Sequence, residues 1–88
     1  MMGLAVDDRG NVFAANYGGG RVVRVAPSGQ VTCVLESGGA WAPSGVALAG
    51  DDLYVLEDGN GVRVRRLRPD GSVTTLALVR DGKPRTGW

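Results

Sequence analysis

The sequence predicts an all-β chain built from two copies of one four-stranded antiparallel unit. Residues 20–32, GRVVRVAPSGQVT, return as residues 62–74, VRVRRLRPDGSVT, with Pro27/Pro69, Gly29/Gly71 and Thr32/Thr74 each 42 positions apart. Upstream, GLAVDDRGNVFAANYGGG (3–20) pairs with GVALAGDDLYVLEDGNG (45–61) once one residue is gapped in a turn. Short apolar, β-branched runs alternate with Gly, Asp, Asn, Ser and Pro, the pattern of strands joined by tight turns. No window sustains a 3.6-residue apolar period, so no helix is expected.

Eight strands follow in order: 3–6, 11–16, 21–26 and 31–36, then 45–49, 52–57, 62–68 and 73–79. Between them lie DDRG, NYGGG, APSG, ESGGAWAPS, GDD, EDGNG and RPDG. In Pro-Ser-Gly and Pro-Asp-Gly, proline presets φ at the second turn position and glycine accepts the positive φ that closes the hairpin. The third strand of each copy shares apolar residues at Val22/Val64 and Val25/Leu67, a spacing of three. One buried face would demand a spacing of two, so either both faces are buried or a bulge re-aims the strand.

A four-stranded repeat of this length is the size of one β-propeller blade. Residues 1–44 form the first blade with its connector, 45–79 the second, and 80–88 a truncated connector or tail. Propellers use about four to eight blades, so two blades leave broad sheet faces uncovered. The expected partners are further blades in cis or identical chains in trans, three copies closing a six-bladed ring. VRDGKPRTGW stops where another inner strand is due, which favours blades in cis and a fragment of a longer protein.

Composition excludes several classes. The 88 residues carry ten basic and nine acidic side chains, a net charge of +1, which exerts no global pull on nucleic acid or anionic membrane. No run approaches the roughly 18 apolar residues of a membrane helix. MMGLAVDDRG lacks the basic and apolar regions of a signal peptide, so a cytoplasmic location is the default expectation. There is no histidine, which removes Ser-His-Asp and Cys-His catalysis and the usual neutral-pH base. Cys33, alone and between valines in VTCVLE, reads as a small core filler.

The remaining candidates are modest. Asp7-Asp8 and Asp51-Asp52 fall in matching hairpin turns and read as turn residues. EDGNG lacks the later ligands of a calcium loop, and Gly18–Gly20 precede a strand where a phosphate cradle requires a helix. Arg63, Arg65, Arg66 and Arg68 form the one concentrated charge and a candidate polyanion contact. Strand alternation sets Arg63 and Arg65 against Arg66 and Arg68, and Asp51, Asp52, Glu57 and Asp58 are near enough to neutralise them, so nucleic acid is disfavoured. Trp41, in the loop before the second inner strand, and Tyr17 are candidate ligand or interface residues, with packing the commoner role.

GGGRVVRVAPSG and NGVRVRRLRPDG resemble the NHL repeat, whose run is approximately G-N-N-R-I-Q-K-F-D-P-D-G. Arg21 and Arg63 fall on its arginine, Val22 and Val64 on its isoleucine, Val25 and Leu67 on its aromatic position. The blades are also similar to those of the gluconolactonase/senescence-marker-protein family, which shares P-x-G-[IV]-A-x-x-x-D-x-L-Y-V with APSGVALAGDDLYVLED. That resemblance implies a six-bladed, metal-dependent sugar-lactone hydrolase. It also implies a divalent metal such as calcium, held by an Asn or Asp just before an inner-strand glycine.

Those positions hold Met2 and Ser44, and neither thioether nor hydroxyl replaces a carboxylate or amide oxygen around a hard cation. No catalytic residue, metal ligand or cofactor is therefore assigned to this segment, calcium entering only with a lactonase-type parent. The leading expectation is a non-catalytic NHL-like repeat pair acting as scaffold or binding element. The alternatives are a fragment of a lactone hydrolase whose ligands lie on other blades, and a self-assembling two-blade ring with ligand sites between blades near Trp41.

Overall fold

A computed structural model describes residues 3–80, leaving Met1, Met2 and the tail 81–88 outside the described residues. It contains eight strands: β1 (Leu4–Val6), β2 (Val12–Asn16), β3 (Arg21–Val25), β4 (Val31–Glu36), β5 (Ala42–Ala49), β6 (Asp52–Gly59), β7 (Gly61–Leu67) and β8 (Val73–Arg80). They form two antiparallel meanders, β1-β2-β3-β4 and β5-β6-β7-β8, each one propeller blade. The all-β, two-blade expectation holds.

The hairpins close as their residues dictate. Gly29 and Gly71 sit at φ 92° and 90°. Their N–H groups donate to the carbonyls of Ala26 and Arg68 at 2.8 and 2.9 Å, so both copies of the Pro-x-Gly turn have one geometry. Asp7 builds the β1–β2 turn by accepting the N–H of Arg9 at 2.9 Å, the N–H of Asn11 at 2.8 Å and the Asn11 amide at 2.9 Å.

One strand starts earlier than expected. β5 begins at Ala42, with Pro43 opposite Glu57 and Ser44 bulged before Gly45 pairs with Leu56. Proline in APSG reads as a breaker, but β5 is the edge of its sheet and needs no ladder on its outer side.

The spacing of three reflects residues on opposite faces of β3, one of which meets the second blade. β3 pairs with β2 without interruption, Val22 opposite Ala15 and Val25 opposite Val12, so Val22 and Val25 point to opposite sides. The bulges lie in the neighbouring strands: Val34 is unpaired in β4 and Leu76 in β8, again 42 residues apart. Val22 and Leu35 from the first sheet meet Leu53 and Val55 from the second, with Phe13, Val34, Val46, Leu48 and Leu67 around them. Burying each of the four central side chains, Val22, Leu35, Leu53 and Val55, contributes about 1.5–3 kcal/mol, and the partly buried ones less.

Cys33 departs from its expected role. It pairs with Val23 on the side away from the second blade and is exposed, because no sheet among the described residues covers that side of β4. The same outer side leaves Leu4 and Val6 65% and 63% exposed, and Leu56 on the far side of the second blade is 41% exposed.

The inner strands converge most closely at Gly3. A Cβ there would lie 2.8 Å from the Cα of Gly45 and 2.9 Å from the Val46 nitrogen. Both are backbone atoms that cannot step aside, so Gly3→Ala is expected to destabilise the chain by about 1–3 kcal/mol in urea titration. Gly18→Ala, where nothing lies within 4 Å, is the matched control and should change little.

The turns also set an acid limit. The Asn11 side-chain amide, then backbone N–H donors, holds the Asp7 carboxyl below its ordinary 3.8. Asp70 is likewise lowered, first by the Ser72 N–H. A depressed carboxyl stabilises the fold above its unfolded value and loses that contribution as pH falls through the folded one. Thermal midpoints should therefore drop as pH goes below 3.8, and Asp7→Ala with Asp70→Ala should flatten that limb.

Candidate functional site

Alternation along β6 places Leu53, Val55 and Glu57 on the face that meets the first blade. The first two join the core. Glu57 arrives at the end where the connector crosses between blades, and its side chain is 0% exposed. A carboxylate out of water must be paired and hydrogen-bonded.

Three segments converge on it. Ser37, just after β4, donates its hydroxyl to Oε2 at 2.5 Å. Arg63 of β7, directly opposite Glu57 in the ladder, donates Nε to Oε1 at 2.5 Å. Its Nη2 reaches the Ser37 carbonyl at 3.2 Å. Arg65, two residues on and on the same face, brings Nη1 to 3.5 Å from Oε2. Trp41 closes the cluster, with the Arg63 guanidinium 4.3 Å from its ring centroid. The β6–β7 turn also presses on this ring, for a Cβ on Gly59 would lie 2.9 Å from Cε3.

The sequence-derived candidates thus separate. Arg63 and Arg65 face Glu57 between the blades, while Arg66 lies on the outer face with Nε 3.7 Å from Asp52 Oδ2. Arg68 stands beyond the end of β7 and donates to Thr74 Oγ1 at 3.3 Å. Trp41 is packed in the polar cluster. Tyr17 stands in the β2–β3 turn, 46% exposed, with its carbonyl accepting the N–H of Gly20 at 3.2 Å.

Ser37 escaped the sequence reading, whereas the sequence places Glu57 near the arginines it pairs with. Ser37 gives no local sign of its partner. Glu57 did, since Glu57 and Arg63 lie symmetrically about Asn60, the centre of the EDGNG hairpin. In the first blade the place of Glu57 is taken by Asn16, whose Oδ1 accepts the Gly19 N–H at 3.1 Å.

The family model for the SMP-30/gluconolactonase/LRE-like region matches residues 3–57, from the first inner strand to Glu57. The chain belongs to this family. It is also 41% identical over 54 residues to a 6-deoxy-6-sulfogluconolactonase of Pseudomonas putida, covering 61% of this chain and 18% of that protein. The chain therefore spans less than a fifth of the length of that relative.

Ser44, the bulged residue before the inner-strand glycine of this gluconolactonase-like chain, sets its hydroxyl on the Leu56 carbonyl at 3.4 Å. Among the described residues, no three His, Cys, Asp or Glu side chains are grouped to hold an ion. A hard cation needs several oxygen ligands, so the residues around Ser44 do not fit one. Met2, at the corresponding place in the first blade, lies outside the described residues.

Removing the buried carboxylate strands two guanidinium groups. Glu57→Ala should cost about 3–5 kcal/mol in chemical denaturation. Ser37→Ala, which removes one donor, should cost about 1–3 kcal/mol. The Ser37→Ala/Glu57→Gln cycle should be non-additive because the residues share one bond.

Proposed function

We propose that this chain is a structural sector of a lactonase-type propeller. Its two blades form part of the ring wall, carry neighbouring blades on their outer faces, and leave metal coordination and lactone hydrolysis to residues on other blades. The observation that carries this reading is Ser44. A chain whose residues 3–57 match the gluconolactonase-like family has, at the inner-strand position before Gly45, a hydroxyl bonded to the Leu56 carbonyl and no carboxylate cluster around it. The sugar-lactone substrate class is suggested by the Pseudomonas putida relative.

The outer faces support neighbours on both sides. Val64, the counterpart of the fully buried Val22, lies on the far side of the second blade, as do Tyr54 and Leu56. Leu4, Val6, Val12 and Val25 on the first blade's outer face match the positions that dock the second blade. One outer face is thus the complement of the other, the arrangement that head-to-tail assembly requires.

With calcium or zinc added, the 88-residue chain is expected to release no acid from glucono-δ-lactone above the uncatalysed rate. A polypeptide extended by its flanking blades should do so, with activity lost to a chelator. Metal-dependent hydrolysis by the chain alone would overturn the reading. A second reading, closure of a six-bladed ring by three identical chains, is favoured by the complementary outer faces. It predicts a discrete trimer in native mass spectrometry; a monomer would exclude it.

A further inference from the structure

The end of the blade pair away from Ser44 carries a different chemistry. Where the β1–β2, β5–β6 and β7–β8 turns meet, a cleft of about 460 Å³ opens between the sheets. Ser44 and Ala49 are five residues apart along β5, roughly 16 Å at about 3.3 Å per residue, so the cleft is remote from the inner-strand position discussed above.

Its floor is the lower end of the inter-sheet core, formed by Phe13, Val34, Leu48, Leu53 and Leu67. Its rim carries three guanidinium groups, from Arg9, Arg24 and Arg68, and two carboxylates, Asp7 and Asp51. Arg24 lies directly opposite Phe13 in the β2–β3 ladder, so charge and aromatic surface adjoin.

Neither Asp7 nor Asp51 lies within ion-pair distance of these arginines, although the Arg9 charge still acts on Asp7. Both oxygens of Asp7 are engaged by its own turn, through the N–H groups of Arg9 and Asn11 and the Asn11 amide. Among the described residues, Arg21, Arg63, Arg65 and Arg66 each have a carboxylate within ion-pair distance, whereas Arg9, Arg24 and Arg68 have none. Arg9, Arg24 and Arg68 are thus gathered at one place, over an apolar floor.

We propose that this interblade cleft binds a small amphipathic oxyanion. Its apolar body rests on Phe13, Leu53 and Leu67, and its carboxylate or phosphate head is held by Arg24 and Arg68, with Arg9 at the mouth. Guanidinium forks match the geometry of both head groups, and an apolar pocket with few charged contacts is the usual form of a small-molecule site. The proposal does not depend on the lactonase relation, since it uses no metal and none of the residues near Ser44.

The test is amide-resolved NMR titration of the full chain with phenyl phosphate and phenylacetate, beside inorganic phosphate and acetate. Saturable shifts are expected at Phe13, Leu53 and Leu67. At least one aryl anion should bind about tenfold or more tighter than its head group alone, because the ring removes apolar surface from water. The tighter of the two identifies the preferred head. Arg24→Gln and Arg68→Gln should each weaken binding about fivefold or more through loss of a charge-assisted bond. Arg21→Gln, whose guanidinium pairs with Glu36, should not. Absence of saturable shifts, equal binding of aryl anions and bare head groups, or indifference to both cleft substitutions in chains that retain their strand spectrum would overturn the proposal.

Discussion

Glu57 is fully buried, and that constraint ties the two sheets together through Ser37. Taking a carboxylate into such a place costs several kcal/mol unless every oxygen finds a donor. Its donors come from different parts of the chain: Ser37 from the end of the first blade, Arg63 and Arg65 from the middle of the second. The arginines reach Glu57 within their own sheet, so Ser37 is the donor that requires the two sheets to be stacked in one register. The apolar residues that stack with them, Val22, Leu35, Leu53 and Val55, supply burial but tolerate sliding. Trp41 covers the cluster from the connector, tying the segment between blades to the same point.

Each blade carries apolar residues on both of its faces. Val22 and Val64 occupy equivalent places in the repeat, yet one is sealed under the second blade and the other lies on an outer face. Leu67 and Val25 show the reverse relation. Repeats that keep the same apolar positions while meeting different surroundings are organised by nearest-neighbour contact, as in other repeat architectures. This chain contains one such contact, and the same surfaces recur on its two flanks.

Chemistry is distributed unevenly over the blade pair. At the end where the connector enters β5, charge is consumed in structure: Glu57 holds the arginines, and Ser44 is bonded to backbone. At the opposite end, Arg9, Arg24 and Arg68 surround a cleft with no carboxylate in ion-pair reach among the described residues. Membership of the SMP-30/gluconolactonase/LRE-like family describes the blades, while these differences describe what this particular segment contributes.

Local information was enough for the strands and turns. The return of Pro27 and Gly29 as Pro69 and Gly71 specified both hairpins, because turn geometry depends on φ at single residues. Alternation likewise sorted Arg63 and Arg65 from Arg66. Contacts between sheets were not legible in this way. Cys33, flanked by valines, looked like core and is exposed, since which face of a strand is covered depends on where the next sheet lies. Ser37 and Glu57 are 20 residues apart, and no period or motif links them. Periodicity and the cross-strand ion pairs act along the chain and could be read there; inter-sheet burial, the Ser37–Glu57 bond and the cleft of the arginines arise between segments distant in sequence, and exist only once the two blades are stacked.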